Sequence, residues 1–202
     1  MGCLSGFYAL EGLDGAGTTT QARMLGEAAA AERLDLFVTA EPTENPVGRL
    51  IRTILGGSIS VEPGTLAHLF AADRHEHLRE SVVGIIDRVY RGQKVITDRY
   101  LFSSLAYQGL DCDFEFVRDL NSAFPLPSTL FYLEVTTDTA IERSADREHL
   151  EIFEHRDFQN ALHDSYDRAL EWGSSLGMKV HRIDGALPAV EIHRKIWSEI
   201  RS

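Results

Sequence analysis

The residues best placed to do chemistry stand near the start of the chain. Gly12, Leu13, Asp14, Gly15, Ala16, Gly17, Thr18, Thr19 and Thr20 follow an apolar run and lead into a helical pattern. Glycines at such a junction let backbone N–H groups point inward at a helix N-terminus, where the dipole favours an anion. The corresponding pattern is G-x-x-x-x-G-K-[ST], a phosphate-binding loop. Gly12, Gly17 and Thr19 meet it, and Thr19 holds the position whose hydroxyl ligates Mg²⁺. Thr18 stands where the pattern has lysine, a point charge for the β- and γ-phosphates.

Such a loop needs a strand behind it and a helix ahead, and the patterning supplies both repeatedly. Five short apolar runs read as buried strands: Phe7–Glu11, Leu36–Ala40, Lys94–Thr97, Thr129–Glu134 and Lys179–Ile183. Long amphipathic stretches alternate with them, the signature of βαβ units and a parallel sheet. Asn45 and Pro46 open one helix and Gly56-Gly57 closes it. Leu66, Leu69, Phe70, Leu78, Val82, Ile85, Ile86 and Val89 recur at helical spacing, which predicts one long helix over 63–91 stopped by Gly92. Further helices are expected over about 157–174 and 188–200. No repeat, low-complexity tract or linker interrupts the chain, so residues 1–202 read as one α/β domain.

Taken in order, the motifs resemble those of the thymidylate kinase family, bacterial type, nearly end to end. The resemblance rests on Glu11–Gly17 with Thr19, Thr20 and Gln21, on Glu41-Pro42 with Gly48–Arg52, and on Leu69–Arg74 with Glu76 and His77. Thr97–Tyr100, Ser103–Gly109, Ile183-Asp184 and His193–Ile196 complete it. It implies a P-loop nucleoside monophosphate kinase fold, a five-stranded parallel sheet flanked by helices. The implied reaction moves a phosphoryl group from ATP to dTMP with Mg²⁺, in a cytoplasmic homodimer.

The resemblance also implies roles, residue by residue. Phe70 would stack on thymine and Arg74, four residues on and so on the same helix face, would bond its carbonyl edge. Ser104 and Gln108 would contact the base, and Tyr107 would crowd the sugar 2′ position. Asp14 would hold the 3′-hydroxyl. Arg99 would fork the acceptor phosphate, a task that suits a guanidinium, with Arg52 and Glu41 nearby. Asp98 would join Thr19 at the metal. Asp98 and Arg99 fall at the C-terminal end of a strand, where doubly wound sheets bind ligands. Residues Gly12 to Thr20 would cradle ATP, and the loop Asp184–Leu187 would border its adenine. Arg143 and Arg147, in a lid segment at about 142–153, would supply the donor-side cation, because Gly15 leaves the loop without an arginine.

Thr18 leaves two outcomes open. Another cation takes over from the missing lysine, or the chain binds nucleotide with little turnover; a kinase of shifted nucleotide preference is a further alternative. Arg23 is the nearest basic residue and by spacing faces away from the loop. The intact acceptor set argues for compensation by the lid arginines.

Charge frames these readings. Lys+Arg total 20 against 31 Asp+Glu, a net −11, which argues against nucleic acid or anionic membrane as a partner. Only Lys94, Lys179 and Lys195 are lysines, so arginine must do the phosphate chemistry. Cys3 and Cys112 make no disulfide framework or zinc spacing and read as reduced thiols of a cytoplasmic protein. No apolar run reaches the roughly 20 residues of a membrane span. The start of the chain has neither a secretory nor a myristoylation pattern.

Overall fold

A computed structural model describes residues 2–144 and 152–201. Five strands, β1 (Cys3–Gly12), β2 (Leu36–Ala40), β3 (Lys94–Asp98), β4 (Leu126–Glu134) and β5 (Lys179–Asp184), form one sheet in the order β2-β3-β1-β4-β5. Every pairing is parallel, so each connection is a helical crossover. The helices are α1 (Thr18–Glu32), α2 (Pro46–Leu55), α3 (Pro63–Arg79), α4 (Ile85–Tyr90), α5 (Leu101–Asp111), α6 (Phe114–Asn121), α7 (Thr137–Ser144), α8 (Ile152–Ser175) and α9 (Ala189–Arg201).

Central strands are apolar on both faces because helices cover both. Phe7, Ala9, Leu10, Val95, Ile96, Leu130 and Leu133 are fully buried between them. Register then decides what meets at the sheet's C-terminal edge. Leu10 and Ala40 each pair with Asp98, Gly12 pairs with Leu133, and Glu134 with Asp184. The phosphate loop, the Asp98-Arg99 turn and the β5–α9 loop therefore open on one edge.

Some expected limits need correction, and β1 begins at Cys3, four residues before the expected Phe7. The long 63–91 helix is two helices, α3 and α4, parted by a turn at 80–84. Val82 adopts φ +74° there and is exposed, and a Cβ on Gly84 would lie 2.7 Å from the Glu80 carbonyl. Apolar periodicity survived the break because Ile85 re-enters the core in phase; periodicity reports a face, not continuity. Strand β4 also begins at Leu126 rather than Thr129. Pro127 sits inside it without a ladder donor, at an irregular register between Leu4 and Tyr8 of β1. The lid expected over 142–153 starts at the end of α7, and most of it, including Arg147, lies outside the described residues.

Candidate active site

Backbone geometry builds the phosphate loop first. Gly15 and Gly17 take φ +81° and +100°, a region that glycine enters without cost. Gly17 is the N-cap of α1 and no side chain caps that helix, leaving its first N–H groups for an anion. Gly12 is required for closeness: a Cβ there would lie 2.8 Å from both Ala16 Cβ and the Leu133 carbonyl. Thr18 is buried at the first position of α1. Arg23 is ion-paired with Glu27 on the exposed face of α1.

Next to the loop, the Thr19 hydroxyl donates to Asp98 Oδ2 at 2.6 Å. Asp98 is buried at the end of β3, and its Oδ1 has no partner among the described residues. A buried carboxylate oxygen left bare beside a hydroxyl fits a hard cation that takes oxygen ligands. Thr19 and Asp98 are the residues that would hold Mg²⁺. From them a cleft of about 510 Å³ runs past Thr43 and His77 to Arg52 and Arg88. Arg52 on α2 donates to the Pro42 carbonyl and pairs with Glu44 at 3.1 Å.

Arg99 turns back over the loop. Its φ of +70° is unusual for a side chain with a Cβ. Nη1 donates to the Gly12 carbonyl, to the Tyr166 hydroxyl at 2.9 Å and weakly to Ser103 Oγ at 3.4 Å, while Nη2 pairs with Asp14 at 3.0 Å. Asp14 and Arg99, expected to act together on one substrate, are thus in direct contact.

Arg74 on α3 lies deeper, at 1% exposure. Its Nε and Nη2 grip Glu41 Oε2 at 2.9 and 2.7 Å, Nη2 reaches Ser104 Oγ at 3.1 Å, and Nη1 donates to Asn121. Glu41, expected near the acceptor phosphate, shares its carboxylate between Arg74 and His77 Nδ1, 3.1 Å away. Phe70 is half-buried one turn before Arg74. On α5, Gln108 Oε1 is buried without a partner among the described residues, and the Tyr107 hydroxyl is buried beside the Asp14 backbone. Burial pushes the Tyr107 hydroxyl up to about 12, partly offset by Arg99, so it stays a neutral donor.

The donor side is reached through α7. Arg143 Nη1 donates to the Gly185 carbonyl at 3.0 Å, and its Cβ lies 3.0 Å from where a Gly15 Cβ would stand. Arg143 therefore spans the phosphate loop and the β5–α9 loop, where the Asp184 carboxylate accepts from Ala186 N at 2.8 Å.

Sequence reasoning missed several partners. Asn121 and His77 complete the Arg74 and Glu41 network, and Thr43 with Asp73 closes the turn below it at 2.5 and 2.8 Å. Glu11, wholly buried in β1, and Tyr166 on α8 sit behind Arg99. Glu11, Asp73 and His77 stand within the motifs that carry the resemblance, without a role of their own, and Glu11 also shows as a carboxylate in an otherwise apolar strand.

A parallel sheet with a phosphate loop after β1, an Asp-Arg turn after β3 and a cleft running from that turn to Arg52 defines a P-loop phosphotransferase of the nucleoside monophosphate kinase type. The thymidylate kinase family model matches residues 10–196, and the chain belongs to that family. A Treponema pallidum protein provisionally named a thymidylate kinase is 38% identical, over the whole chain and 97% of the relative. Proteins also provisionally named thymidylate kinases, from Aeropyrum pernix (39%, covering 91% of this chain and 87% of the relative) and Methanocaldococcus jannaschii (39%, 79% of each), are similar as well.

Proposed function

We propose that the chain, a single domain over 1–202, transfers the γ-phosphoryl group of ATP to dTMP, giving dTDP and ADP, as a thymidylate kinase of bacterial type. The observation that carries this reading is Arg99, held at the mouth of the phosphate loop between Gly12, Asp14 and Tyr166, beside Asp98 and Thr19. A guanidinium there can fork an acceptor phosphate while the loop amides hold the donor.

In the reaction an oxygen of the dTMP phosphate attacks the γ-phosphorus, and the bond to the β–γ bridging oxygen breaks. Positioning and charge stabilisation supply most of the catalysis in such transfers. Arg99 and Arg52 hold the acceptor phosphate, and Asp14 holds the sugar 3′-hydroxyl. Phe70 stacks on the base, Arg74 with Ser104 and Gln108 reads its edge, and Tyr107 excludes a 2′-hydroxyl. Thr19 and Asp98 would hold Mg²⁺, which when bound would supply neutralisation of phosphate charge. Arg143, with Arg147, supplies the donor-side cation that Thr18 does not. A cytoplasmic homodimer accompanies this reading.

A coupled assay of dTMP, ATP and Mg²⁺ on wild type and Thr18→Lys side by side tests it. The expected result is ADP release by the wild type, with no gain beyond a few fold in Thr18→Lys. An inactive wild type rescued by Thr18→Lys would establish a nucleotide binder instead. A nucleotide panel settles base preference.

A further inference from the structure

Glu11 has no part in the reaction described above, yet it is a fully buried carboxylate. It stands at the end of β1, one residue before the phosphate loop. Burying a carboxylate costs several kcal/mol, by the usual order of magnitude, unless hydrogen bonds and an opposite charge compensate. Both of its oxygens are engaged. Oε1 accepts from Tyr100 N at 2.9 Å and Ser103 N at 3.2 Å, supplying α5 with the cap that its own N-cap residue, Tyr100, does not provide. Oε2 accepts from Ser103 Oγ at 2.6 Å and Tyr166 OH at 3.1 Å.

The same two hydroxyls face Arg99. Ser103 commits its proton to Glu11 at 2.6 Å, and Tyr166 directs its proton at Glu11 and the Gly12 carbonyl, each at 3.1 Å. Both hydroxyls keep lone pairs for Arg99, whose Nη1 donates to Tyr166 at 2.9 Å and to Ser103 at 3.4 Å. A carboxylate therefore polarises two neutral hydroxyls into acceptors for a cation. Glu11 also grips the Arg99 backbone from the next residue. The left-handed turn at Arg99 is tied by Arg99 N to the Leu10 carbonyl at 3.0 Å, by Thr97 Oγ1 to the Arg99 carbonyl at 2.8 Å, and by Tyr100 N to Glu11. A non-glycine residue at positive φ costs on the order of 1–3 kcal/mol and persists only where its surroundings over-determine it.

We propose that Glu11 is the positioning residue of Arg99. It holds the strained turn through the Tyr100 amide and aims the guanidinium through Tyr166 and Ser103. This inference rests on Arg99 being the acceptor-phosphate ligand. Burial pushes the Glu11 carboxyl up to about 7, against the lowering by the Arg99 charge and the Ser103 and backbone donors, as expected of a carboxylate paired only through intermediaries.

Steady-state kinetics, dTMP calorimetry and thermal melts on wild type, Glu11→Gln, Tyr166→Phe, Arg99→Lys and Glu11→Gln/Arg99→Lys test it. In Glu11→Gln, the dTMP KM and Kd should rise tenfold or more while the ATP KM moves less than threefold. Adding Glu11→Gln to Arg99→Lys should cost less than a further twofold, because the aimed fork is already gone. Tyr166→Phe should weaken dTMP several-fold. Glu11→Gln with dTMP affinity within twofold of wild type, or with equal losses in both backgrounds, overturns the proposal. If Glu11→Gln does not fold, Tyr166→Phe alone and on Arg99→Lys carries the same two outcomes. A wild type that neither binds nor phosphorylates dTMP removes the proposed activity and this inference together. An active wild type indifferent to these changes removes this inference only.

Discussion

Thr19 and Asp98, 79 residues apart in sequence, meet at 2.6 Å, with the second oxygen of Asp98 buried and bare among the described residues. One element delivers each: the first turn of α1 brings Thr19, and the end of β3 brings Asp98. Asp98→Asn should therefore raise the Mg²⁺ concentration for half-maximal activity by tenfold or more. Thr19→Val should act in the same direction. Manganese binding followed by electron paramagnetic resonance checks the site apart from turnover.

Arg99→Lys keeps the charge and loses the fork. With Tyr166, Gly12 and Asp14 no longer engaged by one planar group, kcat/KM for dTMP should fall about 10²–10³-fold, the scale of removing one preorganised donor. The melting temperature should move by only a few degrees. An unchanged dTMP KM would exclude Arg99 from the acceptor phosphate.

Arg74 and Glu41 form an ion pair at 1% and 2% side-chain exposure. Removing one member of such a pair strands the other. Arg74→Met should destabilise the fold by about 3–5 kcal/mol, read as a lower urea midpoint. A loss below 1 kcal/mol would mean that His77 alone can satisfy Glu41.

Gly12→Ala places a methyl against the Leu133 carbonyl, which is backbone and cannot swing aside. The loop must shift instead, and the ATP KM should rise at least tenfold with a stability loss of about 1–3 kcal/mol. Equilibrium binding of a non-hydrolysable ATP analogue, beside a thermal melt, measures both.

Glu11 makes stability depend on pH in a defined direction. Its carboxyl lies near 7 in the fold against an ordinary value of 4.5, so the folded state favours the protonated form. That contribution is fully present below about 4.5 and is lost as pH rises through 7, by at most about 3 kcal/mol. Between pH 5 and 7.5 the stability of wild type should therefore fall relative to Glu11→Gln, which cannot titrate. Chemical unfolding at a series of pH values reads the difference, and parallel curves would contradict it.

By itself the sequence determined the alternation of strands and helices, the phosphate loop and its family, because these are written in local spacing. β2 matches its expected limits at both ends, and β5 runs only one residue past its expected end, to Asp184. Glycine positions announce the loop since only backbone conformation is at stake. The break at Val82 escaped, because the apolar face continues in phase across it. Tertiary structure alone decided who touches whom. That Glu41 serves Arg74 and His77, that Asn121 completes the Arg74 network, and that Tyr166 on α8 stands behind Arg99 from 67 residues away all depend on strand order and register. Pairing Leu10 with Asp98 puts the start of the phosphate loop beside the Arg99 turn. No local pattern encodes that neighbourhood, since hydrogen bonds between distant side chains exist only once the sheet has set their distance.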